Sequence, residues 1–264
     1  MKKLLQIILS LSVIIATTGN ASSQEKINVR DKDGNKQGHW IKKYPDGSTM
    51  YEGYFVDDKP RGELKRYDQD GKLSSVLEYS NNNDTVTACF YHPNGFIAGK
   101  GKYIDRKKTG AWLYYSDYIE GHLLMRCTYR DDLIEGMRLK YHWNGEIAEK
   151  LEFENGVKSG AWKQYFTDGT LSLQATYING KLNGEFRSWH TNGKQEITGS
   201  YIKDLRNGRW LFYNTDGTVR KEIIYNYGIP ENRAELIREE SEYLDRLEKE
   251  GGKISDPEIS GIIW

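Results

Sequence analysis

The chain is poor in the residues that most enzymes and metalloproteins depend on. Of its 264 residues, two are cysteine and five are histidine. It has no nucleophile elbow, no phosphate-cradling glycine loop and no zinc-helix motif. Net charge is missing too. Its 38 basic residues balance 38 acidic ones with no Lys/Arg run of nucleic-acid type, so there is no net field to draw in nucleic acid or anionic lipid. Hydrophobic residues make up only 37%, which excludes one deep aliphatic core and points to thin packed layers. The apolar run Leu4 to Ala16 is short for a membrane span.

That run fits a secretory signal instead. Lys2 and Lys3 form a basic start, the apolar stretch follows, and Thr17 to Gln24 is small and polar, with a cut expected after Ala21. An uncleaved N-terminal anchor is the alternative; either way the rest of the chain lies outside the cytoplasm. No cysteine stands at the cut, so no lipid anchor is expected. The mature chain, with no integral membrane span, is expected in the periplasm or outside the cell.

What is abundant is glycine and aromatics: 27 Gly, 19 Tyr and 7 Trp. They recur with a fixed period. Eight units align on Gly38, Gly62, Val86, Gly110, Gly136, Gly160, Gly184 and Gly208, in steps of 24 residues except one of 26 after Gly110. A second glycine follows in each unit, from Gly47 to Gly217, and an aromatic closes each, from Phe55 to Tyr225. The second glycine follows Asp or Asn in every unit but the fourth, where Glu120 precedes it. Asp-Gly and Asn-Gly tolerate positive φ at both residues and favour tight hairpin turns. A short aromatic strand precedes the turn. A longer strand with period-2 alternation follows, as where Leu171, Leu173, Ala175 and Tyr177 oppose Ser172, Gln174 and Thr176.

The expected fold is all-β: an elongated, single-layer antiparallel meander of eight hairpins and sixteen strands over residues 38–227, with one aromatic-lined face. Residues 1–21 are the signal peptide, 22–37 a linker, and 228–264 a helical cap and tail. The first-strand Trp (Trp112, Trp162, Trp210) and the Tyr three residues on (Tyr115, Tyr165, Tyr213) would face opposite sides of a regular strand. Either a bulge intervenes or both faces carry aromatics.

The pattern G-x-W-x-x-Y-x-x-x-G, and the run GAWKQYFTDGTLSLQATYINGKLNG at 160–184, resemble the MORN repeat in the bacterial variant form of YwqK-type antitoxin proteins. The resemblance implies an elongated hairpin array used for binding or scaffolding, with no catalytic residues. The antitoxin association fits poorly with an exported chain.

Register governs the reading of the reactive residues. His92, His142 and His190 share one phase in alternate units, about 19 Å apart, whereas zinc needs ligands at about 2 Å. Cys89 and Cys127 lie three strand spacings apart, about 14 Å, beyond the roughly 7 Å a disulfide spans. They are expected as free thiols, with Cys127 in the core. The pairs Asp57/Asp58 and Asp131/Asp132 fall in solvated inter-unit turns, and Asn83-x-Thr85 is a chance match in a loop. No catalytic residue, cofactor or metal is expected.

The aromatic ladder is expected to pack on itself. A binding surface belongs where units deviate: unit three lacks its glycine, and unit four carries an insertion at 116–121. Tyr114, Tyr118, Trp143 and Trp189 are the candidate partner-binding residues. The partner is another protein or a cell-envelope glycan; a third reading is an immunity-type protein against a secreted toxin.

After Tyr225 the repeat stops and a helix is expected over 233–250. Asn232 and Glu235 have capping-box spacing, and Leu236, Ile237, Tyr243, Leu244 and Leu247 form an apolar stripe. Gly251 and Gly252 end it, before the apolar Ile262-Ile263-Trp264. The helix caps the open sheet edge or binds a partner.

Overall fold

The computed structural model describes residues 26–80 and 84–238, with Ser241, Glu242 and Asp245 beyond them. The signal segment, Asn83, the distal helix stripe with its glycines and the C-terminal apolar residues lie outside the described residues. The strands are β1 (Val29–Arg30), β2 (Lys36–Lys43), β3 (Thr49–Val56), β4 (Lys59–Tyr67), β5 (Leu73–Tyr79), β6 (Thr85–Tyr91), β7 (Ile97–Ile104), β8 (Lys107–Tyr115) and β9 (Leu123–Arg130). They continue as β10 (Leu133–Ile134), β11 (Gly136–Tyr141), β12 (Ile147–Glu154), β13 (Val157–Tyr165), β14 (Leu171–Ile178), β15 (Lys181–Leu182) and β16 (Gly184–Trp189). The last are β17 (Gln195–Ile202), β18 (Leu205–Tyr213), β19 (Val219–Asn226) and β20 (Ile229–Pro230).

All belong to one open antiparallel sheet of 20 strands in meander order. The sixteen expected strands are all there. Two of them are interrupted, at Glu135 and Asn183, and the two-residue β1 and β20 extend the sheet at its ends.

The turns differ from expectation in an instructive way. Inside each hairpin only the glycine has positive φ, as at Gly47 (90°), while Asp46 does not. The Gly47 amide donates to the Tyr44 carbonyl (3.0 Å) and Tyr44 to that of Ser48 (2.8 Å), which makes a three-residue loop ending in a left-handed glycine. Asp46 Oδ1 accepts from the Ser48 amide, fixing the loop. The two-residue turns with positive φ at both positions lie between units and after the last, at Asp57-Asp58, Asp105-Arg106, Asp131-Asp132, Asn155-Gly156, Asn179-Gly180, Lys203-Asp204 and Tyr227-Gly228. Their carboxylates also have work to do. Asp58, Asp132 and Asp204 accept from the backbone amides of Lys36, Lys108 and Leu182 one unit back, at 2.7–2.9 Å.

Every hairpin has a register shift at the same phase, for example between Tyr114 and Tyr115. The extra residue falls on the second strand, so the first strand stays regular and its Trp and Tyr do face opposite sides. Both alternatives therefore hold, and the expectation of a single aromatic-lined face is corrected. The Trp face is still the denser one. Down its middle run Leu64, Ala88, Trp112, Cys127, Leu151, Ala175, Trp210 and Ile223, all buried. Both cysteines are free.

A second kind of bulge sits at the unit junctions. It falls at the unit-opening glycines, which take positive φ (Gly62 62°, Gly110 63°, Gly208 73°) that a β-branched residue resists. Six of the seven junctions shift register there. The exception joins units two and three, where Val86 replaces glycine and β5 and β6 pair without interruption from Ser75↔Phe90 to Tyr79↔Val86. Bulges bend a strand and raise its local twist, so this junction lacks the bend the others share.

Beyond β20 the described residues 233–238 are helical. The Leu236 amide donates to the Asn232 carbonyl (3.1 Å), which places Asn232 at the N-cap. The capping box does not close: Asn232 Oδ1 is buried with no hydrogen-bond partner. Ile237, on the expected apolar stripe, is exposed.

Candidate binding groove

Unit four shows how the Trp face is normally filled. Trp112 lies flat on the preceding strand at Gly101, where an added Cβ would come within 2.3 Å of the indole. Tyr103 and Tyr129 pack edge-on to it, and Phe90 and Tyr114 stack beside it. Lys108, two residues before the unit glycine, roofs the cluster. Its Nζ is 4.6 Å from the Trp112 ring centre, 5.1 Å from Tyr129 and 5.6 Å from Tyr114. It also donates to the Tyr114 hydroxyl at 3.1 Å. Burial, the first cause, and the Tyr114 hydrogen bond push the Tyr129 phenol up. The rings share an ammonium as cation–π partners.

The same position carries a cation in three more units. Lys36 lies over Trp40, Tyr51 and Phe55; Lys158 over Tyr177; Arg206 over Trp210 and Tyr225. Units two, five and seven place Pro60, Ile134 and Leu182 there, and unit three alone places an acid, Asp84.

Unit three also inverts the packing. Ala88 stands where unit four has Trp112, and it pairs with Leu77, so the large residue is on the earlier strand. With the indole, the cation and the bulge all absent, a groove of about 990 Å³ opens over units two and three. Its floor is Leu77, Val86, Tyr79, Phe90 and Tyr103, the three rings half-buried. Its rim carries Asp84 and Asp105 together with Lys59, Arg66 and Arg106. Burial raises the Tyr79 and Tyr103 phenols, while Arg66 pulls Tyr79 back and Lys108 pulls Tyr103 back. An apolar floor with a few convergent polar groups is the usual build of a ligand site.

The four residues proposed from the sequence do not share one surface. Tyr114 is half-buried in the unit-four cluster, its hydroxyl 3.1 Å from that of Tyr129. Trp189 is half-buried on the opposite face, three units further on. Tyr118 and Trp143 are 88% and 74% exposed, on adjacent hairpin tips of units four and five. The groove residues were missed individually, although unit three was singled out. The available signal was the unit formula itself: an acid at 84 and an alanine at 88, where units one, four, six and eight have a cation and a tryptophan.

The remaining polar groups are tied into the scaffold. Nε2 of His92, His142 and His190 meets the carbonyl of Tyr115, Tyr165 and Tyr213 in the next unit (2.7–3.1 Å), which a ring N–H satisfies as donor. Glu149 is buried, which alone would raise its pKa. The hydrogen bond from Arg138 (2.7 Å), the charge of Lys140 and the indole N–H of Trp162 outweigh that and hold the carboxyl below its usual range.

The MORN repeat variant model matches residues 60–81, 158–179 and 206–227, which fall in units two, six and eight. No curated protein matches the chain. A chain in the crystal structure of the GtfA/B complex is similar over 39% of this chain at 13% identity and a TM-score of 0.27; the present chain spans 20% of its length. A likeness that slight supports no argument about function.

Proposed function

We propose that this chain is an exported, non-enzymatic repeat module that binds a protein partner through the groove over units two and three. The observation that carries the reading is the coincidence at that groove: side-chain formula and backbone register break together, and an apolar floor opens. MORN-type repeats serve as binding surfaces, and three units match that model. The acids that invite a catalytic reading, Asp58, Asp132 and Asp204, instead hold neighbouring backbone. Export follows from the basic start, short apolar run and small polar stretch at the N-terminus.

A photo-crosslinking residue at Phe90 in the native host tests both parts. The expected result is a discrete protein adduct, recovered outside the cytoplasm. Adducts only from a probe at Trp143, and to envelope glycan, would overturn it. That second reading is favoured by Tyr118 and Trp143, whose exposed rings on adjoining tips suit stacking on sugar. An adduct to an exported toxin would make the module an immunity protein.

A further inference from the structure

The Trp face has one recurring site, and its contents across the repeats indicate what the unit-three copy, which alone carries an acid there, would accept. Two residues before the unit glycine, four units place a Lys or Arg of the chain itself, its charge 4.6–5.6 Å from the centres of one to three aromatic rings. In units one, four and eight the cation is also hydrogen-bonded to a tyrosine hydroxyl, at 3.0–3.1 Å. Unit three keeps two of the corresponding rings, Phe90 and Tyr103, has Ala88 in place of the tryptophan, and reverses the charge to Asp84. Asp84 is exposed and accepts from Ser80 Oγ at 3.1 Å.

Ring faces carry negative potential, and a carboxylate beside them adds to it. Asp105 lies on the same rim. The basic rim residues Lys59, Arg66 and Arg106 hold long side chains at the groove's margin, and Arg66 is the one that acts on Tyr79. We infer that the groove takes a lysine or arginine side chain of the protein partner, its charge seated over Phe90 and Tyr103 with Asp84 as counter-ion. The partner thus supplies in trans what Lys108 supplies in cis one unit away. This rests on the partner-binding reading and gives it a chemical anchor.

The test titrates the full mature chain, ring-labelled at Phe and Tyr, with the blocked tripeptide acetyl-Gly-Lys-Gly-amide and its norleucine counterpart, followed by NMR. Saturable shifts of the Phe90 and Tyr103 ring signals with the lysine peptide, and at least about threefold weaker shifts with norleucine, are expected. Asp84→Asn should weaken the lysine response by a similar factor. Asp84→Lys should abolish it, because the new ammonium fills the site from within; 84 is an exposed position, so both variants keep the fold. Equal responses to both peptides would overturn the basic anchor while leaving an apolar partner groove. No ring response to either peptide, with the Phe90 crosslink still forming, would likewise overturn the anchor alone. Loss of that crosslink as well would sink the partner reading on which it rests.

Discussion

Units three and four are neighbours built from the same 24-residue plan, and they solve the same packing problem in opposite ways. Unit four lays a tryptophan over a glycine, roofs it with Lys108 and bends at Gly110. Unit three opposes an alanine to a leucine, puts an acid at the roof and runs straight through Val86. The first arrangement buries its tryptophan among rings beneath a cation; the second leaves a groove. A repeat protein can thus make a site by omission, since the neighbouring units keep the sheet in place while one unit drops its filling.

The contrast can be broken most severely at Trp112, which is 1% exposed within four flanking rings. Trp112→Ala should cost about 3–5 kcal/mol in urea unfolding, whereas truncating Phe90 on the groove side should cost clearly less. Next comes the backbone. Gly110→Val forces a β-branched residue into φ 63° and should lose about 1–2 kcal/mol or more. Val86→Gly, which only loosens a regular strand, should stay near about 1 kcal/mol. Equal losses would mean that the junction bulge does not matter. Lys108→Met keeps the apolar stem and removes the charge. It should cost about 0.5–2 kcal/mol, and less at high salt if solvent reaches the ammonium. The smallest effect is expected at the hairpin tips: His92→Ala removes one bond to the Tyr115 carbonyl, worth about 1 kcal/mol by thermal unfolding.

Much of this architecture is legible in the residues. The spacing of glycines and closing aromatics gives the number of hairpins and their order, because each unit contacts mainly its neighbours. The separation of Cys89 from Cys127 follows from the same register. The turn types were less legible. Asp-Gly is compatible with two loop geometries, and the choice depends on how the strands leave the turn, which no local dipeptide encodes. The sides of the Trp and Tyr depended on which strand carries the extra residue, and only pairing reveals that. The groove was half legible. Val86 was visible as an exception, yet the meaning of Asp84 and Ala88 appears only when cross-strand partners such as Gly101 and Leu77 are known. The exposed Tyr118 and the half-buried Tyr114 look alike in sequence, because exposure here is decided by turn against strand four residues apart.

The hairpin-tip bonds carry one more consequence. Those from Tyr44, His92, His142 and His190, and from Asn94, Asn144 and Asn192, each run from an odd-numbered unit to the even-numbered one after it. The array is therefore laced into four couples, and growth or loss of the chain by duplication would proceed most smoothly in steps of two hairpins. The groove and the Tyr118/Trp143 tips both straddle a boundary between couples, where a lengthwise flexing of the ribbon would concentrate.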